Sequence, residues 1–379
     1  MIYILVIFTI VIYLIYIKVK YPFWSLQPGF YSFSPGIIWR DLPEKNRYTN
    51  FKNIDTVRFE DVNELEIHKY LQLLNMHSLN KTDNIVRKEN FTPYFKGHYN
   101  EAYFSFYYQP ILLNSSKGII EDKKIVGGLS SRPLHAFIID KSAVNELPVY
   151  YTDYLCINKH LKNVDFQLLQ THYYNQRHLN KRIIVNVFKN EGDIGITPFC
   201  KYLTYGFHVT TWSKPNDLPS TYKLLEITPL NFHFLYDFLK INSIQFDILI
   251  YPEVSNMLEL LKTQNIFIYT ILNNDNIICA YFYKKTCVFI EPSMEILNCF
   301  ASINTTDKDI FIQGFKISFW ETAEQHYFGF STIENVSHNQ CIIENVQLKT
   351  KPHFIKQGAY FFYNFSCQTF SAKKTLIIQ

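Results

Sequence analysis

The chain has 379 residues, 47% of them hydrophobic and 18% charged, so it can bury a sizeable core and is too long for one average domain of roughly 100 to 200 residues. With 17% aromatic residues, 12 glycines and 15 prolines, it is neither disordered, collagen-like nor of low complexity. Lys+Arg 37 against Asp+Glu 33 leaves a formal charge of +4, too small an excess to imply nucleic acid as a partner.

The first element is a charge-free run from Met1 to Ile17. As a helix rising about 1.5 Å per residue it covers roughly 25 Å of a ~30 Å hydrocarbon core. A cleaved signal peptide would carry basic residues before such a run and small residues after it. Here the run begins at once and is followed by Lys18 and Lys20. Residues 1–17 are therefore expected to form a single transmembrane anchor, and the positive flank puts the bulk of the chain in the cytosol. The seven cysteines, an odd count without a C-x-x-C pair, fit a reducing compartment and suggest neither a zinc ribbon nor a disulfide framework. Six N-x-S/T sequons between Asn80 and Asn364 carry little weight in so asparagine-rich a chain.

Residues 18–50 hold the turn formers Pro22, Pro28, Pro35-Gly36 and Pro43, which predict an extended arm laid over a domain. Apolar spacing predicts a helix over Asp61 to Leu79 with Asp61 as its cap. Strands are expected at Lys124 to Gly128 and Leu134 to Asp140, joined through Ser130-Ser131-Arg132-Pro133, and at Tyr150 to Ile157. A helix over Val164 to Leu179 and a strand over Ile183 to Phe188 complete a first half, residues 51–205. The second half, residues 206–379, reads similarly. Helices are predicted over Asn231 to Lys240, Val254 to Lys262 and Ile317 to His326. Strands are predicted over Phe246 to Tyr251, Ile266 to Leu272, Ile277 to Tyr283, Cys287 to Ile290, Gly329 to Ile333 and Ala359 to Ser366. The similar order of elements suggests two related α+β units.

Phosphate-loop, dinucleotide, nucleophile-elbow and zinc-protease motifs are absent, and no metal is expected. His172 and His178, six apart on one predicted helix, do not stack on a face and read as surface or satisfied core histidines. Cys156 reads as apolar packing in preference to a nucleophile.

The informative fragments lie in a fixed order. They are Tyr21-Pro22-Phe23-Trp24-Ser25-Leu26-Gln27-Pro28, then Lys124-Ile125-Val126-Gly127, then Tyr154-Leu155-Cys156-Ile157-Asn158-Lys159-His160-Leu161. Last comes Tyr360-Phe361-Phe362-Tyr363-Asn364-Phe365 followed by Leu376-Ile377-Ile378-Gln379. At these residues the chain resembles the eukaryotic glycylpeptide N-myristoyltransferases, whose patterns are F-W-x-x-Q-P, K-L-V-G, N-F-L-C-x-H-K-x-L-R-S-K-R, Y-x-x-Y-N-W and a terminal L-x-L-Q. The resemblance covers most of Tyr21 to Gln379.

It implies an α+β fold of tandem GNAT-like acyl-CoA N-acyltransferase domains with pseudo-twofold symmetry, here preceded by the transmembrane helix. It also implies an enzyme that takes myristoyl-CoA as co-substrate and proteins with an N-terminal glycine as acceptors. By the same resemblance the Gln379 carboxylate would be the base, and the backbone amides of Tyr154 and Leu155 the oxyanion donors. Asp153 would hold the acceptor ammonium. Phe23, Trp24, Lys162 and Asn163 would meet the CoA. The tail itself is expected to add little to the core. Where the family has R-S-K-R, this chain has Lys162-Asn163-Val164-Asp165, and a G-x-G-D-G loop is replaced by Gln357-Gly358-Ala359. These differences leave a second reading open: a non-catalytic protein of the same fold serving as a lipid-binding or interaction module in a membrane complex. The Ile, Asn, Lys, Tyr and Phe bias suggests a large DNA virus or a parasite as the source.

Overall fold

The computed structural model describes residues 2–30, 36–77, 83–115, 118–140, 143–161, 163–210, 212–291 and 294–379; Met1, Pro35, Leu79, Asn80 and Lys162, named above, lie outside them. The first helix, α1, is Ile2–Lys20, long and apolar enough to cross a membrane, and none of its apolar stretch is buried against the rest of the chain. Its one threonine, Thr9, turns its hydroxyl back to the Leu5 carbonyl at 2.9 Å, the bond a hydroxyl makes where water is absent. The intact chain is expected to stay with the membrane pellet after an alkaline carbonate wash, and a chain without residues 2–20 to be released. Release of the intact chain would show that α1 is not inserted.

The elements then follow as β1 (Ile54–Arg58), α2 (Glu64–His77), β2 (Asp83–Asn84), α3 (Lys88–Phe91), β3 (Tyr103–Ser115), β4 (Gly118–Asp140), β5 (Ala143–Ile157), α4 (Val164–Leu179), β6 (Val185–Asn190) and β7 (Cys200–His208). The second half runs β8 (Tyr222–Ile227), α5 (Phe232–Asn242), β9 (Ile248–Tyr251), α6 (Val254–Lys262), β10 (Ile266–Asn273), β11 (Asn276–Phe289), β12 (Glu295–Asn304), α7 (Lys308–His326), β13 (Phe328–Glu334), α8 (Asn339–Gln347), β14 (Phe354–Tyr363) and β15 (Thr375–Ile377).

Several expectations need correction. Helix α2 starts at Glu64, because Asn63 and not Asp61 caps it: Asn63 Oδ1 accepts from the Glu66 N–H at 2.8 Å, and Glu66 Oε2 accepts from the Asn63 N–H at 3.3 Å. The two strands expected around Ser130-Ser131-Arg132-Pro133 are one strand, β4. It pairs with β3 up to Ser131 and with β9 from His135, so Pro133 falls in the gap between partners, where a missing N–H is tolerated. Strand β11 is likewise continuous through Lys284 and Lys285, whose charges had split it in the sequence. Helix α7 begins well before Ile317, with Phe311, Phe315 and Phe319 at four-residue spacing buried against the sheet.

The two halves share one plan. In the first, β3, β4 and β5 are antiparallel neighbours, and α4 then carries the chain to β6, parallel to β5. In the second, β10, β11 and β12 are antiparallel neighbours, and α7 carries the chain to β13, parallel to β12. Each half then gives a strand to the other. β14 pairs with β6, β7 pairs with β13, and β14 pairs with β7 to join them, giving the order β1-β3-β4-β5-β6-β14-β7-β13-β12-β11-β10-β8. The result is the tandem α+β architecture expected from the sequence, built on one large mixed sheet.

The tail is part of that core and not an appendage. β15 lies parallel to β9, which pairs with β4, and the Ile378 N–H donates to the Ile250 carbonyl at 2.8 Å. Leu376, Ile377 and Ile378 are each 2% exposed or less.

Candidate active site

The site begins with a register change between β4 and β5. Cys156 faces Gly128, but Asp153 faces Ser130, so Tyr154 and Leu155 together stand opposite Leu129. This is a β-bulge, and Tyr154 takes φ +55 there, a left-handed conformation uncommon for an aromatic residue. The neighbours hold it in place. The Tyr70 hydroxyl donates to the Tyr154 carbonyl, and Ser130 Oγ donates to the Asp153 carbonyl at 3.1 Å. The Tyr70 ring reaches the bulge by lying on Gly128, where a Cβ would come within 2.3 Å of it, so only glycine fits. The Tyr154 ring stands edge-on to Phe91 at 4.8 Å.

Of the expected oxyanion donors, the Tyr154 N–H is engaged: it donates to Asp153 Oδ1 at 2.8 Å. Asp153 Oδ2 lies 3.6 Å from Arg132 Nη1. Arg132 is 3% exposed and clamped between the rings of Tyr94 and Tyr151, at 5.0 and 4.8 Å. The two aromatic faces fix the guanidinium beside Asp153. For the Tyr154 amide to meet a thioester oxygen, Asp153 must turn to another cation, such as an acceptor ammonium.

The chain end lies in the same apolar cluster as the Tyr154 ring, through Leu376 and Ile378. Gln379 is 4% exposed, and its Nε2 donates to the Tyr360 hydroxyl at 3.0 Å. Beyond Tyr360 a row of polar side chains crosses the joined sheets. Glu334, 1% exposed, accepts from Lys189 Nζ at 2.9 Å, from Asn298 Nδ2 at 3.0 Å and from the Tyr360 hydroxyl at 3.5 Å. Burial pushes the Glu334 carboxyl up, but Lys189 and Lys284 more than offset this and leave it below its ordinary value. Lys284 stands at the end of the row, opposite Asn298.

The arm brings Phe23 and Trp24 inside, as buried residues packed on the first turn of α4. Phe23 stacks on Phe166 at 4.7 Å, and Trp24 stacks on Phe188 at 5.5 Å. Gln27 is also buried, and its Oε1 accepts from the Asn364 N–H at 3.1 Å, so the F-W-x-x-Q-P fragment and the terminal aromatic fragment meet directly. Arg177, fully buried in α4, pins the arm by donating to the Arg40 carbonyl at 2.9 Å. Asn163 precedes α4 at φ +61 without a side-chain cap. Asp165 in the first turn already complements the positive end of the helix. Lys162 lies outside the described residues.

Two further side chains have structural roles. His172 receives or donates at 2.8 Å with the hydroxyls of both Ser105 and Ser131, and burial pulls its ring down to about 3, so it stays neutral. The buried Cys156 thiol donates to the Leu73 carbonyl at 3.4 Å and is pushed up to about 11, the behaviour of an inert thiol. Arg132, Lys189, Lys284 and Glu334 escaped the sequence reading. Their signal was a charge inside a segment that otherwise reads as strand, a position where burial demands a partner.

No family model matches the chain, and no curated protein matches it by sequence. Solved structures do match. Saccharomyces cerevisiae N-myristoyltransferase with bound myristoyl-CoA superposes with a TM-score of 0.66 at 12% identity, covering 93% of this chain and 94% of that one. A further structure of the yeast enzyme with bound myristoyl-CoA gives 0.63 at 12% identity, over 88% of this chain and 82% of that one. The fold is therefore that of the N-myristoyltransferases along most of the chain.

Proposed function

We propose that the protein is a membrane-tethered acyltransferase, a glycylpeptide N-tetradecanoyltransferase, that moves a myristoyl group from myristoyl-CoA to an N-terminal glycine on the cytosolic face. The observation that carries this reading is the burial of residues 375–379, with Leu376 and Ile378 in the apolar cluster that also holds the Tyr154 ring.

An ammonium is no nucleophile, so amide formation from a thioester needs a base beside the amine. In this reading the acceptor ammonium displaces Arg132 as the partner of Asp153 and gives its proton to the Gln379 carboxylate. The neutral amine attacks the thioester carbonyl, the C–N bond forms, and the C–S bond breaks to release CoA as its thiol. As Asp153 turns to the ammonium it uncovers the Tyr154 amide, and the bulge aims that amide and its Leu155 neighbour at the developing oxyanion. Acceptor binding thus completes the site. No enzyme-bound acyl group is needed, consistent with an inert Cys156. Phe23 and Trp24 shape the surface that receives the CoA, with Lys162 and Asn163 at its phosphate end. Helix α1 holds this machinery at the bilayer from which a myristoylated product would next act.

One observation favours the non-catalytic reading: Asp165 puts a carboxylate at the helix start that would otherwise attract phosphate. Single-turnover transfer of labelled myristoyl from CoA to a Gly-initiated peptide, with the full chain in nanodiscs, decides between the two. Transfer supports the enzyme, and its absence the module. Asp165→Arg is expected to tighten binding of a non-hydrolysable myristoyl-CoA by about three- to tenfold, read by calorimetry. Unchanged affinity would mean that the phosphates do not approach α4.

A further inference from the structure

We propose that the acceptor of this site carries an acidic side chain shortly after its N-terminal residue, and that Lys284 recognises it. This rests on the acyl-transfer reading above and names the substrate class.

The polar row described above is built by strand pairing. Lys189 is opposite Tyr360 across β6 and β14, Lys284 is opposite Asn298 across β11 and β12, and Glu334 lies between them on β13. The two carboxylates available are already engaged. Glu334 accepts from Lys189 and Asn298, and Asp153 faces Arg132 and the Tyr154 amide. Among the described residues no carboxylate forms an ion pair with Lys284. Its ammonium lies over the face of the Phe300 ring, at 5.2 Å, and feels Glu334 only at longer range, a carboxylate already ion-paired with Lys189. The side chain is half-buried, and burial draws the amine down to about 8, so at neutral pH it is still mostly charged. Two lysines thus share one counter-charge, and a carboxylate brought by a ligand would offset the surplus.

Two other polar atoms of the site are left over. Arg132 Nη1 and Gln379 Oε1, on side chains no more than 4% exposed, have no hydrogen-bond partner. The charge balance agrees. With an acceptor ammonium added to Lys189, Lys284 and Arg132, a basic side chain on the acceptor would be repelled, while an acidic one would be drawn to Lys284. Lys284 feels both Glu334 and Asp153, the residue assigned to the acceptor ammonium, so the acidic side chain belongs within the first few positions of the acceptor.

The test is fluorescence polarisation of labelled Gly-initiated peptides on the full chain in nanodiscs with a non-hydrolysable myristoyl-CoA. The peptides carry Glu, Gln or Lys at each of positions two to five in turn. The native protein is expected to bind the Glu peptides about tenfold more tightly than the Gln peptides, with the Lys peptides weakest. Lys284→Met should erase the difference, Lys284→Glu should invert it and Lys284→Arg should keep it. An unchanged preference in Lys284→Met, or none in the native protein, overturns the proposal. Displacement of every peptide equally by inorganic phosphate overturns it too, since the pocket would then be a site for free anions. The preference is read from binding, so if it holds while no transfer occurs, the acidic-acceptor site stands and only the catalytic reading falls.

Discussion

Adding one or two residues after Gln379 is expected to lower single-turnover myristoyl transfer by about 10²- to 10⁴-fold, the usual contribution of a general base. Gln379→Ala is expected to cost less than about tenfold, because the side chain contributes one hydrogen bond to Tyr360 and the proposed base is the main-chain carboxylate. The surroundings make the end intolerant of extension. Ile378 is bonded to Ile250, Leu376 and Ile378 fill the central cluster, and Gln379 is 4% exposed. An extra residue must therefore displace packed atoms or expel the terminus. Equal rates for native and extended chains would remove the carboxylate from the mechanism. Deletion of residues 377–379 is a poorer test, since it also removes two buried apolar side chains and lowers stability with activity.

The second large effect is on stability. Lys189→Met leaves Glu334 buried at 1% exposure without its ion-pair partner, and loss of one member of such a pair costs about 3 to 5 kcal/mol. Lys189 is 32% exposed, which places the expected loss near about 3 kcal/mol, measured by chemical denaturation followed by tryptophan fluorescence. A loss below about 1 kcal/mol would mean that Asn298, Tyr360 and Lys284 suffice for Glu334. The pH dependence has a definite sign. The folded Glu334 carboxyl is held below its ordinary value, so its contribution is present above the unfolded value of 4.5 and is lost as pH falls through the folded value. In Lys189→Met the carboxyl rises, so that acid-side decline should shrink or reverse, and the variant should regain stability relative to the native protein as pH falls.

The local elements were legible because their signals are local. Val164–Leu179 and Val254–Lys262 carry clean helical periodicity and occur as read. β3, β7 and β12 were missed because polar residues or proline interrupt their apolar runs, such as Pro110 in β3, Thr204 in β7 and Asn298 in β12. The bulge at Tyr154 was invisible: it arises from a register offset between β4 and β5, and register belongs to a pair of strands. The polar row was hidden for a different reason. Lys189, Asn298 and Glu334 each look like a single charged or polar break in an apolar stretch, Lys284 is one of a pair with Lys285, and only the strand order brings them together. The fragments at Phe23-Trp24 and Tyr363-Asn364 were recognisable by resemblance, and the Gln27–Asn364 hydrogen bond gives their co-occurrence a physical reason.

The exchange of β7 and β14 between the halves sets the timetable of synthesis. As the ribosome delivers the chain, β6 emerges with its edge open, and the strand that closes it, residues 354–363, is made more than 150 residues later. Until then the nascent first half presents unpaired backbone groups beside an aromatic surface, the kind of edge that chaperones bind and that aggregates in their absence. Closure of that edge, docking of β15 on β9 and delivery of Gln379 all wait for the same late segment. A prematurely terminated product is thus both unfinished as a sheet and without its proposed base. Quality control that senses the exposed edge would therefore remove the same chains that lack the proposed base.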